Sequence, residues 1–184
     1  MAEKKYKGRK AYLNDFKKNA QGEYEYQGNL YQWKVSKEER IKEQVILWIF
    51  CAGMLSALMM SVCLDAPGTL NCIYVLLPAA VSFVFGISVV WGMWKLTIAG
   101  NPMREYVYKA TIEAMSLRCI YVMAGTGTAL LGEVIYLLFH GAGEKISGAL
   151  IFLLSELIGL LFSNIIRKKI GHIDEKIDKM SNKN

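Results

Sequence analysis

From Cys119 to His140 the chain reads CIYVMAGTGTALLGEVIYLLFH, and from Ser147 to Ile166 it reads SGALIFLLSELIGLLFSNII. Each stretch holds a single acid, Glu133 in the first and Glu156 in the second, and no Lys or Arg. A helix rises about 1.5 Å per residue, so about 20 apolar residues cross a hydrocarbon layer about 30 Å thick. Both stretches reach that length. Upstream, Val45–Leu64 (VILWIFCAGMLSALMMSVCL) and Thr69–Trp91 reach it too, the second with room to continue to Ala99. Helices of a soluble bundle would each show a polar face, and these do not. The expected fold is an all-α integral membrane protein, a four-transmembrane-helix bundle with spans 45–64, 69–91, 119–140 and 147–166, a small cytoplasmic N-terminal β-hairpin and cytoplasmic helical extensions.

The rest of the chain agrees with this reading. Of the 184 residues, 53% are hydrophobic and 21% charged, with a net charge of +6. The charge is confined to 1–44, 95–118 and 167–184, apart from a few residues. That distribution excludes a disordered chain, a disulfide-dense secreted scaffold and a soluble two-domain enzyme. Basic residues collect on the cytoplasmic side of membrane proteins. Lys or Arg residues run from Lys4 to Lys42 before the first span. Lys95, Arg104, Lys109 and Arg118 lie between spans two and three. Arg167, Lys168, Lys169, Lys176, Lys179 and Lys183 follow the fourth. The other two connections hold only Lys145. Both termini are therefore expected in the cytoplasm, with the chain in the plasma membrane and the first span acting as an uncleaved signal-anchor. Trp48, Trp91, Trp94 and Tyr121 fall near the inner boundary, and Tyr74 and Phe139 near the outer one.

The chain divides into a cytoplasmic segment 1–44, a four-span domain 45–166 and a basic cytoplasmic tail 167–184. The basic residues of 1–20 read as a solvated tail that sets topology, or as a segment drawn to anionic lipid at about 1 kcal/mol per charge. The membrane already explains this basic excess, so no nucleic-acid partner is expected. Residues 23–35, EYEYQGNLYQWKV, alternate around Gly28-Asn29 and predict a β-hairpin. A two-residue turn there pairs Tyr26 with Tyr31 and Tyr24 with Trp33, placing four rings on one face. That face would rest on the protein's own cytoplasmic helix ends, on headgroups or on a partner protein. Ser36-Lys37-Glu38-Glu39 is a capping box, so a helix should start there and run into the first span. Asn101-Pro102 predicts a second start, for a helix over 102–117.

Glu133 and Glu156 are the only charged groups deep in the spans. At mid-bilayer a charge costs at least about 2.5–3.5 kcal/mol, which marks both acids as candidate functional residues. The connection His140–Ser147 and the pair 133/156 are centred within about one residue of each other, so an antiparallel hairpin places the acids at similar depth. At about 100° per residue, Thr126, Glu133, Tyr136 and His140 form one stripe of the third span. Glu156, Gly159 and Ser163 share a face of the fourth. If the faces meet, two carboxyls in one dry site share a proton or hold a cation. The bland alternative is neutral acids that glue helices together by hydrogen bonds.

Pro67-Gly68 reads as the turn between the first two spans. It puts Cys63 and Cys72 level at the outer edge, where a disulfide or two free thiols would fit. Cys51 and Cys119 read as small core residues. Gly125, Gly127 and Gly132 suit close helix packing, and Pro78 suits a kink. His140 with Glu144 gives two metal donors, too few for a site. The sequence offers no nucleophile–base pair, zinc-ligand helix or nucleotide signature, so no enzyme, metal or cofactor is expected. The expected function is a small proton- or cation-coupled transporter or transporter subunit using Glu133 and Glu156, with Thr126, Tyr136 and Ser163 beside them. The alternative is an accessory subunit of a larger membrane complex, bound through its spans and through Tyr24, Tyr26, Tyr31 and Trp33. Four helices enclose little interior, so the lipid bilayer and a homo-oligomer or larger assembly are the expected partners.

Overall fold

The computed structural model describes residues 15–18, 21–141 and 143–180. Most of the basic segment 1–20 lies outside them. Three short strands come first: β1 (Phe16–Lys18), β2 (Tyr24–Tyr26) and β3 (Leu30–Trp33). Helices α1 (Lys37–Cys63), α2 (Pro67–Asn71) and α3 (Ile73–Ile98) follow. Then come β4 (Met103–Arg104), α4 (Glu105–Tyr108), a π-helical turn Lys109–Glu113 and α5 (Ala114–His140). A 3-10 turn (Gly143–Lys145), α6 (Ile146–Glu175) and β5 (Ile177–Met180) close the described chain.

Four helical segments are long and apolar enough to cross a membrane: α1, α3, the run Glu105–His140 and the run Gly143–Glu175. They alternate in direction. α1 packs on α3 and α6, and α5 packs on α3 and α6, so the four form a closed ring. One end of this ring carries the strands and is called the sheet end. The other carries α2 and the α5–α6 connection and is called the loop end. Outward faces are apolar, with Ile49, Ile73, Leu131, Leu138, Phe139 and Leu154 all exposed.

Local chemistry sets the helix limits. The Ser36 side chain accepts the Glu39 N–H at 3.2 Å, and Glu38 and Glu39 favour the positive helix start. α1 therefore begins eight residues before the apolar run, as the capping box predicts. In α3, Pro78 lacks the N–H that would bond the Tyr74 carbonyl. The small face of α5 seats against that stretch. A Cβ on Gly132 would stand 3.2 Å from the Tyr74 oxygen, and one on Gly125 would stand 3.0 Å from the Pro78 oxygen. Glycine is what lets the two backbones approach.

At the sheet end, β3 is the middle strand of an antiparallel sheet ordered β4-β3-β5. Tyr31 pairs with Met103 on one side and Lys179 on the other, and Trp33 pairs with Ile177. This corrects the predicted hairpin over 23–35. β2 pairs instead with β1, Phe16 opposite Tyr26, as a small N-terminal β-hairpin. The contacts of Asn29 explain the split. Its Nδ2 donates to Glu105 Oε2 at 2.6 Å, and its carbonyl accepts from the Glu105 N–H at 3.1 Å and from the Tyr26 hydroxyl at 3.2 Å. An isolated two-stranded hairpin is marginal in water, whereas this sheet buries Trp33 to 4% exposure in the helical core.

One further expectation is corrected. The helix after Asn101-Pro102 starts at Glu105, because Met103 and Arg104 form β4 and the Asn101 side chain accepts the Trp33 N–H at 3.2 Å. Residues 167–175 are the last turns of α6. Ion pairs tie them down: Lys169 to Glu43 at 3.3 Å, and Lys176 to Glu39 at 2.9 Å and Glu43 at 3.0 Å. The two carboxylates hold the Lys176 ammonium above its ordinary range.

Candidate functional site

The bundle interior is unequal along its length. Toward the sheet end it is filled by long side chains, among them Leu47, Met93, Met115, Ile166 and Ile170. Toward the loop end the apolar filling is a small cluster, Ala66, Val75, Ala79, Ala129 and Phe152. Polar side chains lie among these: Ser61, Ser82, Thr126, Glu133 and Glu156 have 0% exposure, as does Ser163, which stands nearer the sheet end.

The helix period explains their convergence. Thr126, Ala129 and Glu133 recur at three- and four-residue spacing on the inward face of α5. Phe152, Glu156, Gly159 and Ser163 do so on α6. Gly159 brings the faces together, since a Cβ there would stand 2.9 Å from Leu58 and 3.6 Å from the Thr126 methyl. Thr126, Glu133, Glu156 and Ser163 are thus all interior.

The two carboxyls have different surroundings. Glu133 lies seven residues, about 10 Å, from the loop end of α5, and Glu156 ten residues, about 15 Å, from that of α6. Glu156 is therefore about one turn deeper. Glu133 Oε1 accepts the Gly68 N–H at 3.3 Å, while Oε2 has no hydrogen-bond partner among the described residues. Oε2 lies against Gly68, where no Cβ could fit. Neither Glu156 oxygen accepts a hydrogen bond among the described residues. The Ser61 side chain of α1 lies beside the Glu156 carboxyl. The hydroxyls are also engaged along their own helices. Ser61 donates to the Leu58 carbonyl at 2.9 Å, Ser82 to Ala79 at 2.7 Å, Thr126 to Val122 at 3.0 Å and Ser163 to Leu160 at 3.0 Å. Each keeps lone pairs that can still accept.

α2 was not foreseen. The expected turn at Pro67-Gly68 is the start of a short helix whose Pro67, Gly68 and Thr69 are buried against α5 and α6. Asp65 backs it, its carbonyl facing Gly148 at 2.7 Å from where a Cβ would stand. α2 covers Glu133 from the loop end. Ala66-Pro67 with proline at the first helical position was the available signal. Cys63 and Cys72, expected at one level across a turn, are both free thiols, as are Cys51 and Cys119.

The outer part of the stripe behaves differently. Tyr136 is half-buried and His140 exposed, their rings stacked with centroids 4.6 Å apart. Tyr136 therefore leads away from the acids toward the loop end. The four aromatic residues of 23–35 do not share a face. Trp33 is core, Tyr31 stacks on Tyr108 with centroids 4.0 Å apart, and the Tyr26 hydroxyl accepts the Glu105 N–H. Tyr24 alone is largely exposed. No group of three or more His, Cys, Asp or Glu side chains that could hold a metal occurs among the described residues.

No protein-family model matches the chain, and neither does any curated protein or solved structure.

Proposed function

We propose that the four helices span the plasma membrane with the sheet end in the cytoplasm, and that Glu156 and Glu133 form the proton or cation site of a small transporter or transporter subunit. The bare carboxyl of Glu156 carries this reading. An unpaired carboxylate inside a membrane bundle is strongly unfavourable, with no basic side chain in the spans to neutralise it. A proton satisfies it at once, because a carboxylic acid donates to the free lone pairs of Ser61. A cation satisfies it by taking the oxygens directly. Either way a positive charge stabilises the site. Glu133 sits about one turn nearer the loop end, under α2. A charge leaving Glu156 toward that end meets Glu133 next, with Gly68 as the cover. Glu133 and Glu156 are both fully buried, so transport also requires α2 or a helix to move, or a second copy to complete the path.

The accessory-subunit reading is weaker. It rested on an aromatic surface, and three of those four rings pack within the protein itself.

The test is reconstitution in vesicles loaded with a pH-sensitive dye, under imposed proton and sodium gradients. Wild type should dissipate one of them, and Glu156→Gln and Glu133→Gln should behave like empty vesicles while expressing normally. Wild-type rates in both variants would remove the coupling role.

A further inference from the structure

The α3–α5 seam holds a second polar arrangement, toward the sheet end. Arg118 of α5 lies across it. Its Nη1 donates to the Ser88 carbonyl of α3 at 3.2 Å, and its Nη2 donates to the Ala110 carbonyl at 3.3 Å. Gly92 makes the room, since a Cβ there would stand 2.6 Å from Nη1. These partners are neutral carbonyls. They orient the guanidinium and leave its charge in place, and no carboxylate lies within ion-pair distance of it among the described residues.

A second cation stands on the same face of α3. At about 100° per residue, Ser88, Trp91, Gly92 and Lys95 fall on one stripe. Lys95 is exposed, and its Nζ sits 5.3 Å from the centre of the Trp91 ring. Trp91 is 56% exposed and Trp94 52%. Phe85 and Tyr121, with centroids 4.7 Å apart, close the seam deeper in the bundle. Glu113 precedes Arg118 by five residues, but its charge acts on Tyr31 and Tyr108, toward the sheet. The groove thus combines two cations and an indole shelf, with no carboxylate in ion-pair distance of either cation among the described residues.

We infer that this groove binds the headgroup phosphate of an anionic phospholipid in the leaflet at the sheet end. Exposed tryptophans favour the headgroup level, which brings Arg118 and Lys95 to the depth of lipid phosphates. A guanidinium pinned by two carbonyls presents a pre-oriented donor fork suited to phosphate oxygens. A zwitterionic lipid brings its own cation, which two neighbouring cations oppose; an anionic lipid does not. The inference rests on the membrane-spanning reading and is independent of Glu133 and Glu156.

The experiment is native mass spectrometry of the full chain released from nanodiscs of mixed phosphatidylglycerol and phosphatidylcholine. Wild type should retain phosphatidylglycerol well above its share of the mixture. R118Q, which removes the charge but keeps an amide donor, and K95Q, at an exposed position, should each lower that preference about fivefold. R118K should lose less. Retained lipid in wild type that mirrors the bulk mixture would overturn the inference, as would an unchanged preference in both R118Q and K95Q. A chain that fails to enter nanodiscs would overturn the membrane reading itself.

Discussion

The two halves of the bundle are built on different rules. The sheet half is a conventional core: Leu47, Met93, Met115 and Ile166 fill it, and Trp33 plugs its end from a strand. The loop half has a smaller apolar cluster, Ala66, Val75, Ala79, Ala129 and Phe152, with hydroxyls and two acids buried beside it, and its end is plugged by five-residue α2. One half is apolar throughout, and the other keeps polar groups dry. Substitutions should therefore separate stability from function according to the half they strike.

The largest effect should come from the loop half. Glu156→Gln should reduce gradient-driven flux to background while shifting stability by no more than about 1 kcal/mol, because amide and acid have nearly the same shape. In the sheet half the pattern should invert. Leu47→Ala or Trp33→Ala should cost about 3 kcal/mol in denaturation measurements, with folded molecules still active. If Leu47→Ala abolishes flux without loss of stability, the division between halves is wrong. Gly68→Ala is intermediate. The added methyl meets Glu133 Oε2, so α2 should lift from its seat at about 1–3 kcal/mol, read as faster hydrogen exchange over Ala66–Asn71.

Smaller effects lie at the sheet end. Lys176→Met removes ion pairs to Glu39 and Glu43. The folded lysine is held above its ordinary 10.5, so its contribution is complete below that pH and fades as pH rises through the raised value. A destabilisation that persists in strong alkali would contradict this pairing. Tyr24→Ala should change stability by about 0.5 kcal/mol or less, since the ring is mostly exposed.

What could be read in the sequence divides along physical lines. Helices long and apolar enough to cross a membrane announce themselves by length and composition, so 119–140 matches the end of α5 and 147–166 lies inside α6. The capping box at Ser36 is local chemistry and was legible for the same reason. The helix period placed Thr126 with Glu133, and Glu156 with Ser163, on common faces, but helix rotation is set by packing and left the direction of those faces open. The sheet was hidden because its strands come from residues 30–33, 103–104 and 177–180, and no local pattern links such distant segments. The hairpin signal at Gly28-Asn29 was outcompeted by the contacts of Asn29 with Glu105. α2 was hidden by its brevity, and with it the Gly68 partner of Glu133.

Infrared difference spectroscopy of the protein in lipid, across a pH step and a sodium step, probes the proposed exchange at Glu156 most directly. A carboxyl stretching signal should appear in wild type under one of the two steps and vanish in Glu156→Gln. A spectrum identical in wild type and Glu156→Gln under both steps would mean that Glu156 exchanges neither proton nor cation, and the proposed coupling site would be refuted.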